Sequence, residues 1–103
     1  MRFLVVTKSN SPIPPEMALP IFEATSVWAQ QHTASGKMEQ IWSFAGLPGG
    51  GGILNVDSPE ELDEIMTAFP LSPFSTTEIY SLVDVEPSLQ RVRNAIQAMM
   101  PSS

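Results

Sequence analysis

The sequence has no cysteine and a single histidine, His32. Without cysteine there is no disulfide framework and no thiolate metal or redox site. One histidine excludes a site that draws two imidazoles from one chain. Cations are scarce: five Lys and Arg stand against eleven Asp and Glu, a net charge of −6. An acidic surface repels phosphate backbones, so neither nucleic acid nor an anionic membrane is an expected partner. Apolar runs reach only a few residues, far short of the roughly 20 that span a bilayer. The first eight residues hold four apolar positions after Arg2 and no small-residue cleavage pattern, which is not a secretory signal. A soluble, cytoplasmic protein is expected. What is present is 103 residues of 43% apolar composition. That is too apolar for an acidic disordered chain and the right length for one domain, residues 1–103, with one modest core.

Periodicity and breakers divide the chain. Residues 3–6 form a short β-branched run, expected as a strand buried on both faces. Three prolines in residues 9–15 make a connection. Over residues 16–35, Met17, Ile21, Ala24 and Trp28 recur at helical spacing, with Pro20 expected in the first turn or at the helix start and Gly36 as the stop. Residues 37–46 read as a strand; strict alternation puts Glu39, Ile41 and Ser43 on one face and Met38, Gln40, Trp42 and Phe44 on the other. Leu47-Pro48 and the four following glycines, Gly49 to Gly52, read as a hairpin turn, and residues 53–56 as the next strand. Ser58-Pro59-Glu60-Glu61 carries a capping box, followed by Leu62, Ile65, Met66 and Phe69 at helical spacing and a stop at Pro70. Residues 76–85 alternate as a fourth strand. Pro87 opens a last helix with Leu89, Val92, Ile96 and Met99 as its stripe. The fold class is therefore α+β: a ferredoxin-like βαββαβ sandwich with a four-stranded antiparallel sheet, both main helices on one face, and a C-terminal helix.

Few side chains stand out chemically. The glycine run lacks the following helix and the lysine of a phosphate loop. Glu60, Glu61, Asp63 and Glu64 do not match a calcium loop and read as helix-dipole partners and a solvated face. With only carboxylate oxygens on offer, neither a metal nor a cofactor is expected. Glu39, Glu78 and Glu23 are the candidate proton-transfer groups, since a carboxylate desolvated under the helices suits proton abstraction next to a carbonyl. On the other face, each is a surface or interface residue. Trp42, Tyr80 and Trp28 are candidate pocket-lining residues; His32 is either a base or a helix-end imidazole.

Residues 27–46, VWAQQHTASGKMEQIWSFAG, resemble the helix–strand segment of the muconolactone δ-isomerase family, with its Gly stop and Ile-Trp strand. Asn55 to Leu62 is similar to that family's entry into its second helix. Phe69-Pro70-Leu71-Ser72-Pro73-Phe74 is similar to its Pro-Leu turn, and Glu86-Pro87-Ser88 to its His-Pro-Ser. The resemblance implies a sandwich of the dimeric α+β barrel type that assembles through its sheets, and cofactor-free proton shuttling on a small lactone or carbonyl ligand. Four places depart from the pattern: Ala24 to Val27 replace charged helix residues, Ser43 replaces the Arg after the strand Trp, Gly49 to Gly52 replace a polar loop, and Glu86 replaces the His. An anionic lactone acid loses its anchor by these changes. The function implied is that of a muconolactone isomerase-like protein, a cofactor-free isomerase acting by proton transfer on a small carbonyl or lactone compound, with absent or very weak turnover of muconolactone itself; the alternative is a non-catalytic small-ligand-binding or assembly protein of the same fold. Two apolar sheet faces with only one spare helix also point to a homodimer or larger homo-oligomer.

Overall fold

A computed structural model describes residues 1–101, so the last two positions of the expected domain lie outside the described residues. The elements are β1 (Arg2–Ser9), α1 (Pro15–Ala34), β2 (Met38–Ser43), β3 (Gly49–Asn55), α2 (Pro59–Thr67), a single 3-10 turn (Ser72–Phe74), β4 (Ser75–Leu82) and α3 (Val85–Met99). The sheet order is β2-β3-β1-β4 and every pairing is antiparallel. This is the expected α+β, ferredoxin-like arrangement, with the first strand at the centre.

Opposed residues of an antiparallel pair share a face, so the register sorts the sheet. Met38, Leu54, Phe3 and Ser81 make one row under the helices; Ile41, Gly52, Val5 and Ile79 the next; Ser43, Gly50, Thr7 and Thr77 the third; and Ser9 with Ser75 the last. Phe3, Val5, Met38 and Leu54 are buried there with Trp28 of α1, Leu62 and Ile65 of α2, Val56 and Phe69. The opposite face carries Leu4, Val6, Ile53, Trp42, Glu78 and Tyr80. Residues 3–6 are thus covered on one face only, and Leu4 and Val6 stay half-buried within one chain.

Local signals set most boundaries. Ser58 Oγ accepts from the Glu61 amide at 3.1 Å and Pro59 opens α2, as the capping box required. Gly36, at φ 81°, takes the left-handed position after α1. Lys37 Nζ meets Glu61 Oε1 at 2.8 Å and Asp57 Oδ2 at 3.4 Å, joining the start of β2 to the start of α2. Its hydrogen bond to Glu61 raises the Lys37 pKa above the ordinary 10.5.

Several expectations need correction. Pro20 lies inside α1, which begins at Pro15; being exposed, and only one turn from the end, its missing N–H costs a single early bond to the carbonyl of residue 16. The four glycines are strand residues, not a turn. The turn is residues 45–48, closed by the Phe44 amide donating to Gly49 O at 3.0 Å. The glycines belong in the sheet because neighbouring backbone leaves no room: a Cβ on Gly51 would lie 2.7 Å from Val5 O, and one on Gly52 2.7 Å from Gln40 O. Strict alternation in β2 fails at a bulge between Met38 and Gln40. The extra residue moves Met38, Ile41 and Ser43 to one face. Finally, β4 stops at Leu82, and α3 starts two residues before Pro87.

α3 stands away from the sandwich. Every apolar residue of its stripe is exposed, up to 84% at Met99. The molecule is correspondingly long, 71 × 28 × 23 Å. Among the described residues no helix is long and apolar enough to cross a membrane.

Candidate functional site

Between the sheet and the two main helices lies a pocket of about 460 Å³, within the range of small-molecule sites. Its floor is the helix-facing side of β1, β3 and β2, where Val5, Thr7, Gly50, Gly52, Ile41 and Ser43 present themselves. Phe22, Thr25 and Trp28 come from α1 at steps of three, and Met66 comes from α2. Phe69, Leu71 and Phe74 of the Pro-Leu turn close one side, and Phe44, Leu47 and Pro48 of the β2–β3 turn the other.

Trp28 organises the inner end. Its Nε1 donates to Ile65 O at 3.1 Å, a buried bond across 37 residues of sequence. Ile65 lies in the last turn of α2, where carbonyls lack an intrahelical donor, and the amide of Phe69 donates to Met66 O instead. The indole of one helix therefore caps the end of the other. Its ring lies 4.8 Å from Phe69, tilted by 49°. Trp28→Phe should cost about 2 kcal/mol, because the carbonyl is left buried and unpaired. Urea denaturation measures it, and reduced amide protection in α2 separates loss of the cap from loss of ring area.

The pocket holds no ionisable side chain of the described residues. Glu39 lies on the opposite face, 2.7 Å from Arg2 Nη2. Next to the helix-facing Met38 it points away from the helices, while the bulge carries Ile41 and Ser43 to the pocket side. Glu78 shares that face and accepts from Tyr80 Oη at 2.6 Å, a bond that raises the Tyr80 pKa above its ordinary 10.0. Glu23 sits on the exposed side of α1. Trp42 contributes to the pocket rim while its indole lies over Gly51 on the other face. His32 packs edge-on against Trp28 with centroids 5.2 Å apart, outside the pocket lining. Of the seven residues singled out from the sequence, the structure brings Trp28 and Trp42 to the pocket and groups Glu39, Glu78, Tyr80 and the Trp42 ring on the far face. The hydroxyls of Thr7, Ser9 and Ser75 also line the pocket and were not among the sequence candidates, whereas Ser43 stood out as the replacement for the family's Arg. The signal for Thr7 was its place in the alternation Phe3, Val5, Thr7.

A family model described as "Muconolactone delta-isomerase" matches residues 1–87. The chain belongs to the muconolactone δ-isomerase family. It is 30% identical over 84 residues to a muconolactone δ-isomerase of Acinetobacter baylyi, covering 80% of this chain and 88% of that one. It is 36% identical over 55 residues to that of Rhodococcus opacus, covering 53% of this chain and 59% of that protein's length. A crystal structure of muconolactone isomerase superposes with a TM-score of 0.77 at 24% identity, over 84% of this chain and 92% of that one. The fold is also similar, with a TM-score of 0.62 at 15% identity and coverage of 84% and 98%, to the Burkholderia phenoliruptrix 5-chloro-2-hydroxyhydroquinone dehydrochlorinase in complex with 2,5-dihydroxybenzoquinone. In this member of the δ-isomerase family, Thr25, Ser43 and the glycine strand, three of the places where the chain departs from the family pattern, all reach the pocket wall. The family match ends at residue 87, inside the first turn of α3.

Proposed function

We propose that the chain is a muconolactone isomerase-like protein that binds a small, uncharged lactone or conjugated carbonyl compound in this pocket. The observation that carries the reading is the lining: apolar and aromatic walls, a few hydroxyls, and no charge among the described residues. A carboxylate ligand entering such a site would lose its hydration without gaining a cation. An ester or lactone loses little. The test compares muconolactone with its methyl ester by calorimetry or ligand-observed NMR. The ester should bind roughly tenfold tighter than the acid, the cost of a charged group deprived of its partner. Turnover of muconolactone should be roughly a hundredfold below that of the Acinetobacter relative for the same reason. Tighter binding of the acid, or comparable turnover, would overturn the proposal.

Non-catalytic binding is the second reading, and the placement of Glu23, Glu39 and Glu78 outside the pocket favours it. Solvent-deuterium incorporation into a bound neutral lactone separates the two: exchange at carbon means proton transfer, and binding without exchange means a binding protein. In either case we propose a homodimer or larger homo-oligomer as the working form, since both α3 and one sheet face lack cover within the chain.

A further inference from the structure

We infer that the pocket selects a flat ring bearing an O–H group, a phenol or the enol of a cyclic conjugated ketone. The inference rests on the neutral-ligand reading above and names the ligand class.

Thr7 is the one buried polar side chain of the described residues, 9% exposed, and it lines the pocket. Its hydroxyl proton is spent on Gly50 O at 3.3 Å. No donor among the described residues is within hydrogen-bond reach of its oxygen, on a residue that lines the cavity. A hydroxyl has two acceptor lone pairs besides the proton it donates. A vacant acceptor on a pocket wall matches a ligand that donates. A cation would also donate, but no carboxylate lines the pocket to offset its charge. A phenolic O–H donates and is neutral at pH 7, its ordinary pKa being about 10.

The shape of the floor argues for flatness. Ser43 and Thr7 occupy one row, two strand spacings or about 10 Å apart, and the position between them is Gly50. Only the backbone of Trp42 and Ser43 lies nearest to where a Cβ of Gly50 would be. The floor there is bare peptide plane between two hydroxyls. The Trp28 and Phe69 rings line the same pocket, and the Trp28 N–H is already bonded to Ile65. An aromatic ring laid on the peptide plane meets those rings face or edge, a gain of about two- to tenfold beyond contact area alone. A puckered saturated ring lacks both fits.

The experiment uses the full chain and three probes of one size: 2-naphthol, 2-methoxynaphthalene and trans-decahydro-2-naphthol, with dissociation constants from calorimetry or NMR titration. 2-Naphthol should bind at least about fivefold tighter than the methyl ether, which cannot donate, and at least about fivefold tighter than the saturated alcohol, which is not flat. Thr7→Val should abolish the preference over the ether without weakening the ether itself, and Thr7→Ser should keep it. Equal or tighter binding of the ether or the saturated alcohol by the unaltered chain overturns the inference, whatever the variants do. Binding of a methyl lactone ester without any preference for naphthol sinks this inference alone. Binding of none of these neutral compounds sinks the neutral-ligand reading with it.

Discussion

Gly51→Ala should lower the unfolding free energy by about 3 kcal/mol, the upper end of ordinary overpacking costs. For a domain of this size that is a fall in melting temperature of roughly 15 °C. The added methyl would sit 2.7 Å from Val5 O on one side and 3.2 Å from Trp42 Nε1 on the other. The indole can swing aside; the carbonyl cannot, because it belongs to the central strand and the residues around it are paired on both edges. Relief requires β1 and β3 to separate, which weakens the ladder that joins the two halves of the sheet. Gly46→Ala is the control. Gly46 sits in the turn at φ 86° with nothing within 4 Å of a built Cβ. Its replacement carries only the backbone strain of a left-handed residue, about 1 kcal/mol. Thermal melts of the two variants side by side distinguish close approach from backbone freedom. Equal losses would mean that the glycine strand is held by conformation alone.

Removal of residues 88–103 should dissociate the assembly while leaving the sandwich folded. Light scattering of the full chain at micromolar concentration should give at least twice the 11.2 kDa chain mass. The truncated chain should fall to a smaller species, with a melting temperature set by its own core. The reason is that α3 contributes nothing to that core: Leu89, Val92, Ile96 and Met99 are all exposed. A 15-residue helix with no buried residue is marginal in water. Its apolar stripe and the half-covered strand face of Leu4, Val6 and Ile53 exist on the same chain, so a second copy supplies cover to both. A full-length chain that stays monomeric, or a truncation that leaves the mass ratio unchanged, would remove α3 from the assembly.

Where local chemistry decides structure, reading the residues in order was sufficient. Ser58 capped α2, Gly36 closed α1, and the Leu62, Ile65, Phe69 spacing found the core. Where a neighbour decides, it was not. Four glycines in a row signal a turn on propensity alone; their place in β3 follows from the closeness of Val5 O and Gln40 O, which only the paired strands reveal. The bulge in β2 acts the same way. One extra residue transfers Ser43 to the pocket side and leaves Glu39 with Arg2 on the other. The carboxylates drew attention because ionisable groups carry familiar chemistry. The polar part of the pocket floor is instead the row of Thr7, Gly50 and Ser43 on three strands, and no short stretch of sequence displays that row.

The place of β1 at the centre of the sheet also has a consequence for the timing of folding. β1, made before the other three strands of the sheet, lies between β3 and β4, which follow β2 in the chain. Until residue 82 emerges, one edge of β1 has no partner in its own chain. Such non-local closure slows folding, and an unpaired apolar strand is the segment most prone to off-pathway pairing. The pairing hazard of the growing sheet therefore lies in β1 until β4 is made.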